Sequence, residues 1–148
     1  METGADRAQT LKAIAALNEL LRILCRSLPA YLADAKPWAQ SDDRFCAALK
    51  HLVADQHRYA RRVTEAIIER GGRPDPGRFP TEFTAKNDLS LEYLHQETID
   101  RQEHDIVAIK RSAARLEGIA SLHSLAEEIL GNAQGHLEIL QEIMNAER

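Results

Sequence analysis

Hydrophobic residues recur at alternating spacings of three and four residues in four long segments of the chain. This spacing places them on one side of an α-helix, because a helix turns once in about 3.6 residues. The segments cover about residues 8–34, 41–70, 88–116 and 121–146, named here predicted helices A, B, C and D. Four long helices with one apolar stripe each can share one core. The pattern predicts an all-α four-helix bundle, a single domain over residues 1–148.

The ends of predicted helices A and B carry local signals. Pro29 lies inside helix A, where a proline removes a backbone hydrogen bond, so we expect a kink near Cys25. Ser41 is a suitable N-cap for helix B, and Gly71-Gly72 is a stop signal at its other end. Helix B is therefore expected to be about 45 Å long.

A long connection follows helix B. Residues 71–87 contain three prolines and Gly77, which exclude a helix there. At about 3.3 Å per residue this stretch can reach about 55 Å, the length of the bundle. Helices B and C are thus predicted to be parallel. Phe79 and Phe83 are expected to attach the connection to the bundle, or alternatively to contribute to a contact between two copies.

Composition narrows the class of partner and the location. The net charge is −4 and the pI about 5.9, which disfavours nucleic acid and anionic membrane surfaces. No apolar run approaches the length of a transmembrane helix, and the N-terminus lacks the pattern of a signal peptide. Cys25 and Cys46 have no C-x-x-C neighbour and are expected to be reduced thiols. We therefore expect a cytoplasmic protein.

Two short segments resemble bacterioferritins and related ferritin-like proteins. They are the stretch from Tyr59 to Gly72 and the stretch Gly135-His136-Leu137-Glu138, and the four-helix pattern extends the resemblance over nearly the whole chain. The resemblance implies a ferritin-like four-helix bundle with a long crossover between helices B and C. It also implies a di-metal site, with one glutamate from each of helices A and C and one E-x-x-H from each of B and D.

The positions that the resemblance assigns to metal ligands lack carboxylates. They are Leu24 on helix A, Gln56 and Tyr59 on B, a residue near Asp100 to Gln102 on C, and Ala133 and His136 on D. The apolar stripes independently place the residues of A, B and D on core-facing rows. Two divalent cations need several carboxylates as hard, negatively charged ligands. We therefore expect no standard di-iron site and no cofactor.

A neutral polar cluster is predicted at the same level of the bundle. It consists of Gln56, Tyr59, Gln102 and His136, whose amide, phenol and imidazole groups can both donate and accept hydrogen bonds. Buried polar groups need such partners, and a metal-free polar core would fix the register of the helices.

Other acidic and histidine residues leave a metal-binding alternative open. Glu92 and His95 form a literal E-x-x-H, and His136 could bind iron or manganese with the displaced carboxylates of Glu92, Asp100 or Glu103. The register of helix C decides whether Gln102 or a neighbouring carboxylate faces His136. His51 with Asp55, and Asp100 with His104, are interpreted as surface or boundary pairs.

These observations favour a non-enzymatic structural or interaction protein. Two alternative functions are also considered. One rival is a divergent metal-dependent oxidoreductase using His136. The other is a binder of haem or another small molecule between two subunits. A homodimer is expected because helices A and B carry apolar residues beyond one stripe. Its face would include the outer apolar residues Leu20, Ile67, Ile68, Leu125 and Leu130.

Overall fold

The computed structural model describes residues 3–34, 44–88 and 90–146. Its helices are α1 (Gly4–Cys25), α2 (Leu28–Asp34), α3 (Arg44–Glu69), a 3-10 helix (Thr81–Asp88), α4 (Leu91–Arg115) and α5 (Ala120–Ala146). The described residues contain no strand, which confirms the all-α class. The predicted N-cap Ser41 lies outside the described residues. None of the helices in the described ranges has the length and hydrophobicity needed to cross a membrane.

Predicted helix A is two helices rather than one kinked helix. The chain bends at Arg26 and Ser27, and Pro29 lies in the first turn of α2, where its missing N–H has no intrahelical partner to lose. The Ser27 hydroxyl accepts a hydrogen bond from the Ala30 amide at 3.1 Å, as an N-cap does. The predicted continuity of this helix was therefore wrong, because a local cap starts a new helix after the bend.

Contacts between helices define the bundle. Helix α1 packs on α3 and α4, and α5 packs on the same two helices from the opposite side. Asp55 bonds to His136 and Arg62 to Glu128, so α3 and α5 are antiparallel. His95 bonds to Leu140 and Gln102 to Ala133, so α4 and α5 are antiparallel as well. Helices α3 and α4 are consequently parallel, as predicted.

The crossover between α3 and α4 is held against the bundle. Helix α3 ends before Gly71, which has a φ of 77°, so the predicted stop signal is confirmed. Residues 72–80 are not helical, but Thr81–Asp88 forms a 3-10 helix, so the prediction that residues 71–87 contain no helix was wrong. The ring centres of Phe79 and Phe83 lie 5.5 and 5.8 Å from the ring centre of Tyr31 on α2.

Cation–π contacts reinforce the same attachment. The guanidinium of Arg26 lies 5.0 Å from the centre of the Phe79 ring, and that of Arg101 lies 5.4 Å from the Phe83 ring. Phe83 is 3% exposed, so it packs inside the protomer and is not available to a second copy. The predicted attachment of the crossover is confirmed.

The core consists of two apolar clusters. One contains Leu24, Tyr59, Ile106 and Ala133 and extends towards the start of α1. The other contains Leu52, Phe83, Ile99 and Leu140 and includes Leu28 and Leu32 of α2. Gln56 and Gln102 belong to neither cluster and occupy the level between them, 7% and 3% exposed.

Three of the residues predicted for a dimer face belong to the core instead. Leu20 and Ile67 are completely buried and Leu125 is 8% exposed, all within the first cluster. They extend the stripes of their helices towards neighbouring helices of the same bundle. Of the remaining two, Ile68 is 59% exposed and Leu130 is half-buried.

Candidate functional site

A small cavity lies between the two apolar clusters. It offers about 20 Å³ to the centre of a water-sized molecule, which is enough for one water. Its walls are formed by Ile23, Leu24, Leu52, Gln56, Tyr59, Gln102, Asp105, Ile109, Ile129, Asn132, Ala133 and His136. The positions that the resemblance assigned to metal ligands on predicted helices A, B and D all line this cavity. On the fourth helix the position is Gln102.

Helical spacing explains how these side chains reach one place. Gln56 and Tyr59 on α3, like Gln102 and Asp105 on α4, are three residues apart and so lie on one side of their helix. The register of α4, which sequence left open, places Gln102 and Asp105 at the cavity, whereas Asp100 is exposed.

The four residues of the predicted polar cluster share the cavity, but their hydrogen bonds go to other residues. The Gln56 side-chain oxygen accepts a hydrogen bond from the Ser27 hydroxyl at 3.0 Å. The Gln102 amide donates to the Ala133 carbonyl at 3.1 Å. Both buried amides thus tie neighbouring helices together instead of bonding to each other.

Tyr59 has a charged environment at its outer side. Burial raises the pKa of its phenol, and a hydrogen bond with Glu128 raises it further, while Arg58 acts in the opposite direction. The guanidinium groups of Arg58 and Arg62 lie 5.2 and 5.6 Å from the centre of the ring. The phenol therefore remains neutral, and its ring lies close to two cations.

His136 bonds to Asp55 across the interface of α3 and α5. The Nε2–H group of the imidazole donates to the Asp55 carboxylate at 2.7 Å, and their side chains are only 11% and 23% exposed. Asn132 donates to the same carboxylate at 2.8 Å, and Arg58 lies 3.0 Å from its other oxygen. Asp55 is thus not the surface partner of His51 that its spacing suggested, because the register of α3 against α5 decides its partner.

The pKa of Asp55 is lowered by these partners. Burial alone would raise it, but the hydrogen bonds from Asn132 and His136 and the charge of Arg58 outweigh that effect. The Asp55 carboxylate therefore stays ionised at neutral pH.

Asp105 is the cavity residue that sequence reasoning missed. Burial raises the pKa of its carboxyl to about 7, and the charge of Arg101 offsets only part of this effect. The position of Asp105 three residues after Gln102 was the available signal, since both must face the same side of α4.

The carboxylates proposed as displaced metal ligands do not converge on His136. Glu92 is exposed, Asp100 accepts a hydrogen bond from Gln96 at 3.0 Å, and Glu103 accepts one from Gln141 at 3.4 Å, all on the outer surface of the bundle. The structure therefore brings none of the three to the cavity.

His95 does not contact Glu92 and instead packs in the core of the bundle. It is 3% exposed and stacks on Phe45, with ring centres 4.3 Å apart. Its Nε2 lies 2.8 Å from the Leu140 carbonyl oxygen, so this nitrogen carries a hydrogen and donates it. Glu92 is exposed whereas His95 is buried against Phe45, so the two side chains of this E-x-x-H do not meet in one site.

The donor groups of the cavity do not fit a pair of divalent cations. The cavity contains a single carboxylate, Asp105, beside neutral amides and a phenol, and the Nε2–H of His136 is directed at Asp55. Two such ions require several ionised oxygen ligands. Within the described ranges, no group of three or more His, Cys, Asp and Glu side chains is placed to hold a metal ion.

Comparison with known proteins gives one informative similarity. No protein-family model matches the chain, and no curated protein matches it. Among solved structures, it is similar to the bacterioferritin of Desulfovibrio desulfuricans, whose X-ray structure was described with its diiron site in different catalytic states. The TM-score is 0.77 with 22% sequence identity, covering 93% of this chain and 81% of that chain. This chain therefore has the ferritin-like four-helix-bundle fold.

Proposed function

We propose that this ferritin-like bundle works without a standard di-iron site, as a non-enzymatic structural or interaction protein. The observation that carries the proposal is the chemistry of the cavity. Leu24 and Ala133 stand where carboxylates would be needed, and Gln56 and Gln102 use their amides to join helices. At the middle of the bundle, hydrogen bonds thus connect the helices that metal ligands would connect in a di-iron protein.

Elemental analysis of the untagged protein tests this proposal. The protein is expressed with added iron, manganese and zinc, and loosely bound metal is removed before measurement. We expect far less than one metal ion per chain. One or two tightly bound iron or manganese ions per chain would overturn the proposal and favour the oxidoreductase alternative.

A rebuilt variant supplies the positive control. It carries the substitutions Leu24→Glu, Gln56→Glu, Tyr59→His, Gln102→Glu and Ala133→Glu and keeps His136. If this variant is helical by circular dichroism and binds metal under the same conditions, the low content of the natural chain reflects its side chains and not the expression conditions.

Homodimerisation is a further part of the proposal. Leu11 on α1 and Ile68 on α3 are each 59% exposed, and they lie near the end of the bundle where Ile14 approaches Gly72. Large aliphatic side chains exposed on neighbouring helices favour burial against a second copy. Sedimentation velocity should report a dimer, which Ile68→Glu weakens. Val107→Glu, at a similarly exposed position on α4, is the matched control and should leave the dimer intact.

A cytoplasmic location is proposed as well. Neither Cys25 nor Cys46 is part of a disulfide, which is typical of a reducing compartment. Fractionation of cells producing the tagged chain tests this directly, and recovery from an extracytoplasmic fraction would contradict it.

A further inference from the structure

The carboxyl of Asp105 lines the cavity, is partly exposed, and lacks a hydrogen-bond partner among the described protein groups. Among the described residues no side chain or backbone group forms a hydrogen bond or ion pair with it, and only the more distant charge of Arg101 acts on it. Withdrawing a carboxylate from water is costly unless a hydrogen-bond donor reaches it. The pKa of about 7 expresses this cost, because it means that the charged form is disfavoured.

Two neighbouring donors are already directed elsewhere, since Gln102 donates to the Ala133 carbonyl and His136 donates to Asp55. Gln56 accepts a hydrogen bond from Ser27 through its side-chain oxygen. Of the elements around the cavity, α1 contributes only the apolar Ile23 and Leu24.

Few titratable groups other than Asp105 face the cavity. They are Tyr59 of α3 and His136 of α5, and Asp55 and Arg58 lie behind them. The phenol and the imidazole both have partners on their outer side, so the carboxyl of Asp105 remains unsatisfied from within the protein.

The cavity has the size and polarity that a water molecule requires. A bound water needs about 10–15 Å³ of space for its centre and two to four polar partners. The space here is about 20 Å³, and the amide, phenol and carboxyl groups on its wall can act as partners. A wholly apolar cavity of the same size would stay empty, so the polar wall is the decisive feature.

We propose that this cavity is a hydration site, in which an ordered water donates a hydrogen bond to the Asp105 carboxylate and becomes bound as Asp105 releases its proton. The proton passes to solvent, and the water then donates a hydrogen bond to the carboxylate in place of the lost proton. The bundle thus responds to pH near neutrality by filling the layer between its two apolar clusters. The inference rests on the proposed function, because a metal ion in this cavity would displace the water.

Nuclear magnetic resonance tests the site directly. The carbon-13 shift of the Asp105 carboxyl should titrate with a midpoint near pH 7. At pH 8.5, cross-peaks should connect a bound water to the methyl groups of Ile109 and Ile129, which line the cavity. Asp105→Leu should remove the cross-peaks, whereas Asp100→Asn, an exposed change on the same helix, should preserve them. A midpoint in the ordinary range near pH 4, or a dry cavity at pH 8.5, would overturn the inference.

Asp105→Asn provides a second test that does not depend on detecting the water. A group whose pKa is about 7 when folded and 3.8 when unfolded weakens folding as the pH rises between these values. The ratio of the unfolding equilibrium constants of the natural protein and Asp105→Asn should therefore rise about 100-fold between pH 5 and 8.5. A ratio independent of pH would overturn the inference.

The metal content of the same samples separates the two proposals. Stoichiometric metal would overturn the proposed function. A metal-free protein with a dry cavity would overturn only the hydration site. Replacing sodium chloride by ammonium chloride at equal ionic strength should leave the titration of Asp105 unchanged, and a shift would assign the site to a cation instead of water.

Discussion

At the scale of single residues, hydrogen bonds give His95 and His136, which are both largely buried, different roles. His136 donates to an ionised carboxylate that Asn132 and Arg58 also hold, so it joins α5 to α3. His95 donates to a backbone carbonyl and stacks on an aromatic ring, so it joins α4 to α5 and fills the second apolar cluster. Neither role requires a metal ion.

Loss of the bond between His136 and Asp55 should reduce stability. We expect His136→Ala to lower the free energy of unfolding by about 1–3 kcal/mol, because it removes a charge-assisted hydrogen bond from a carboxylate that is only 23% exposed. Urea denaturation at pH 7 measures the change. His57→Ala, an exposed change on α3, is the control and should cost less than about 0.5 kcal/mol.

The two contributions of His95 can be separated by two substitutions. His95→Phe preserves the stack on Phe45 but leaves the Leu140 carbonyl without its donor, so we expect a loss of about 1–3 kcal/mol. His95→Ala also creates a cavity and should cost more. Equal losses for the two variants in thermal unfolding would contradict the importance of the stack, and His104→Ala on the exposed side of α4 provides the baseline.

At the scale of elements, the long crossover behaves as an extension of the core. Phe83 is 3% exposed and contacts Tyr31 of α2, Phe79 of the crossover and Arg101 of α4. One side chain therefore joins the crossover to two helices. Polar bonds continue the attachment further along the chain, since Asn18 and Arg22 of α1 bond to residues of the crossover.

Truncation of Phe83 should release the crossover. We expect Phe83→Ala to destabilise the protein by about 3 kcal/mol or more, because a fully buried aromatic ring is lost. Local opening should also expose the bond between Arg78 and Phe79 to trypsin, so cleavage there should become faster than in the natural chain. Ile139→Ala, an exposed apolar change on α5, should alter neither stability nor cleavage. Unchanged cleavage in Phe83→Ala would mean that other contacts hold the crossover.

Properties of single helices could be predicted from sequence, whereas contacts between helices could not. Apolar periodicity located the helices and placed Leu24, Gln56 and Ala133 towards the core, because these properties depend on one helix at a time. The partner of Asp55 depends on how two helices are aligned, which periodicity does not encode. Asp105 was missed although its spacing from Gln102 places both residues on the same side of α4. The break at Ser27 was missed for a related reason, since the Ser27 hydroxyl is also fixed by Gln56 of another helix.

At the scale of the whole molecule, ionisable groups pull stability in opposite directions as the pH changes. The pKa of Asp55 is lowered because its hydrogen bonds outweigh the effect of burial, and those of Asp75 and Glu128 are lowered by hydrogen bonds from Arg22 and Arg62. A lowered pKa adds stability above the unfolded value, and that stability is lost as the pH falls through the folded value. These three carboxylates therefore favour the folded state above about pH 4.

Asp105 opposes them, because its raised pKa adds stability only at lower pH. Its contribution is complete below 3.8 and is lost as the pH rises to about 7, with a magnitude on the order of 4 kcal/mol. The combined effect places the stability maximum at mildly acidic pH, between about 4 and 6. Urea midpoints measured from pH 3 to 9 should show this maximum in the natural protein. In Asp105→Asn the maximum should broaden towards neutral pH, while Asp55→Asn should weaken the decline on the acid side. A natural protein that is most stable above pH 7 would contradict the opposition of these groups, because ionised Asp105 would then have to be satisfied at no cost to folding.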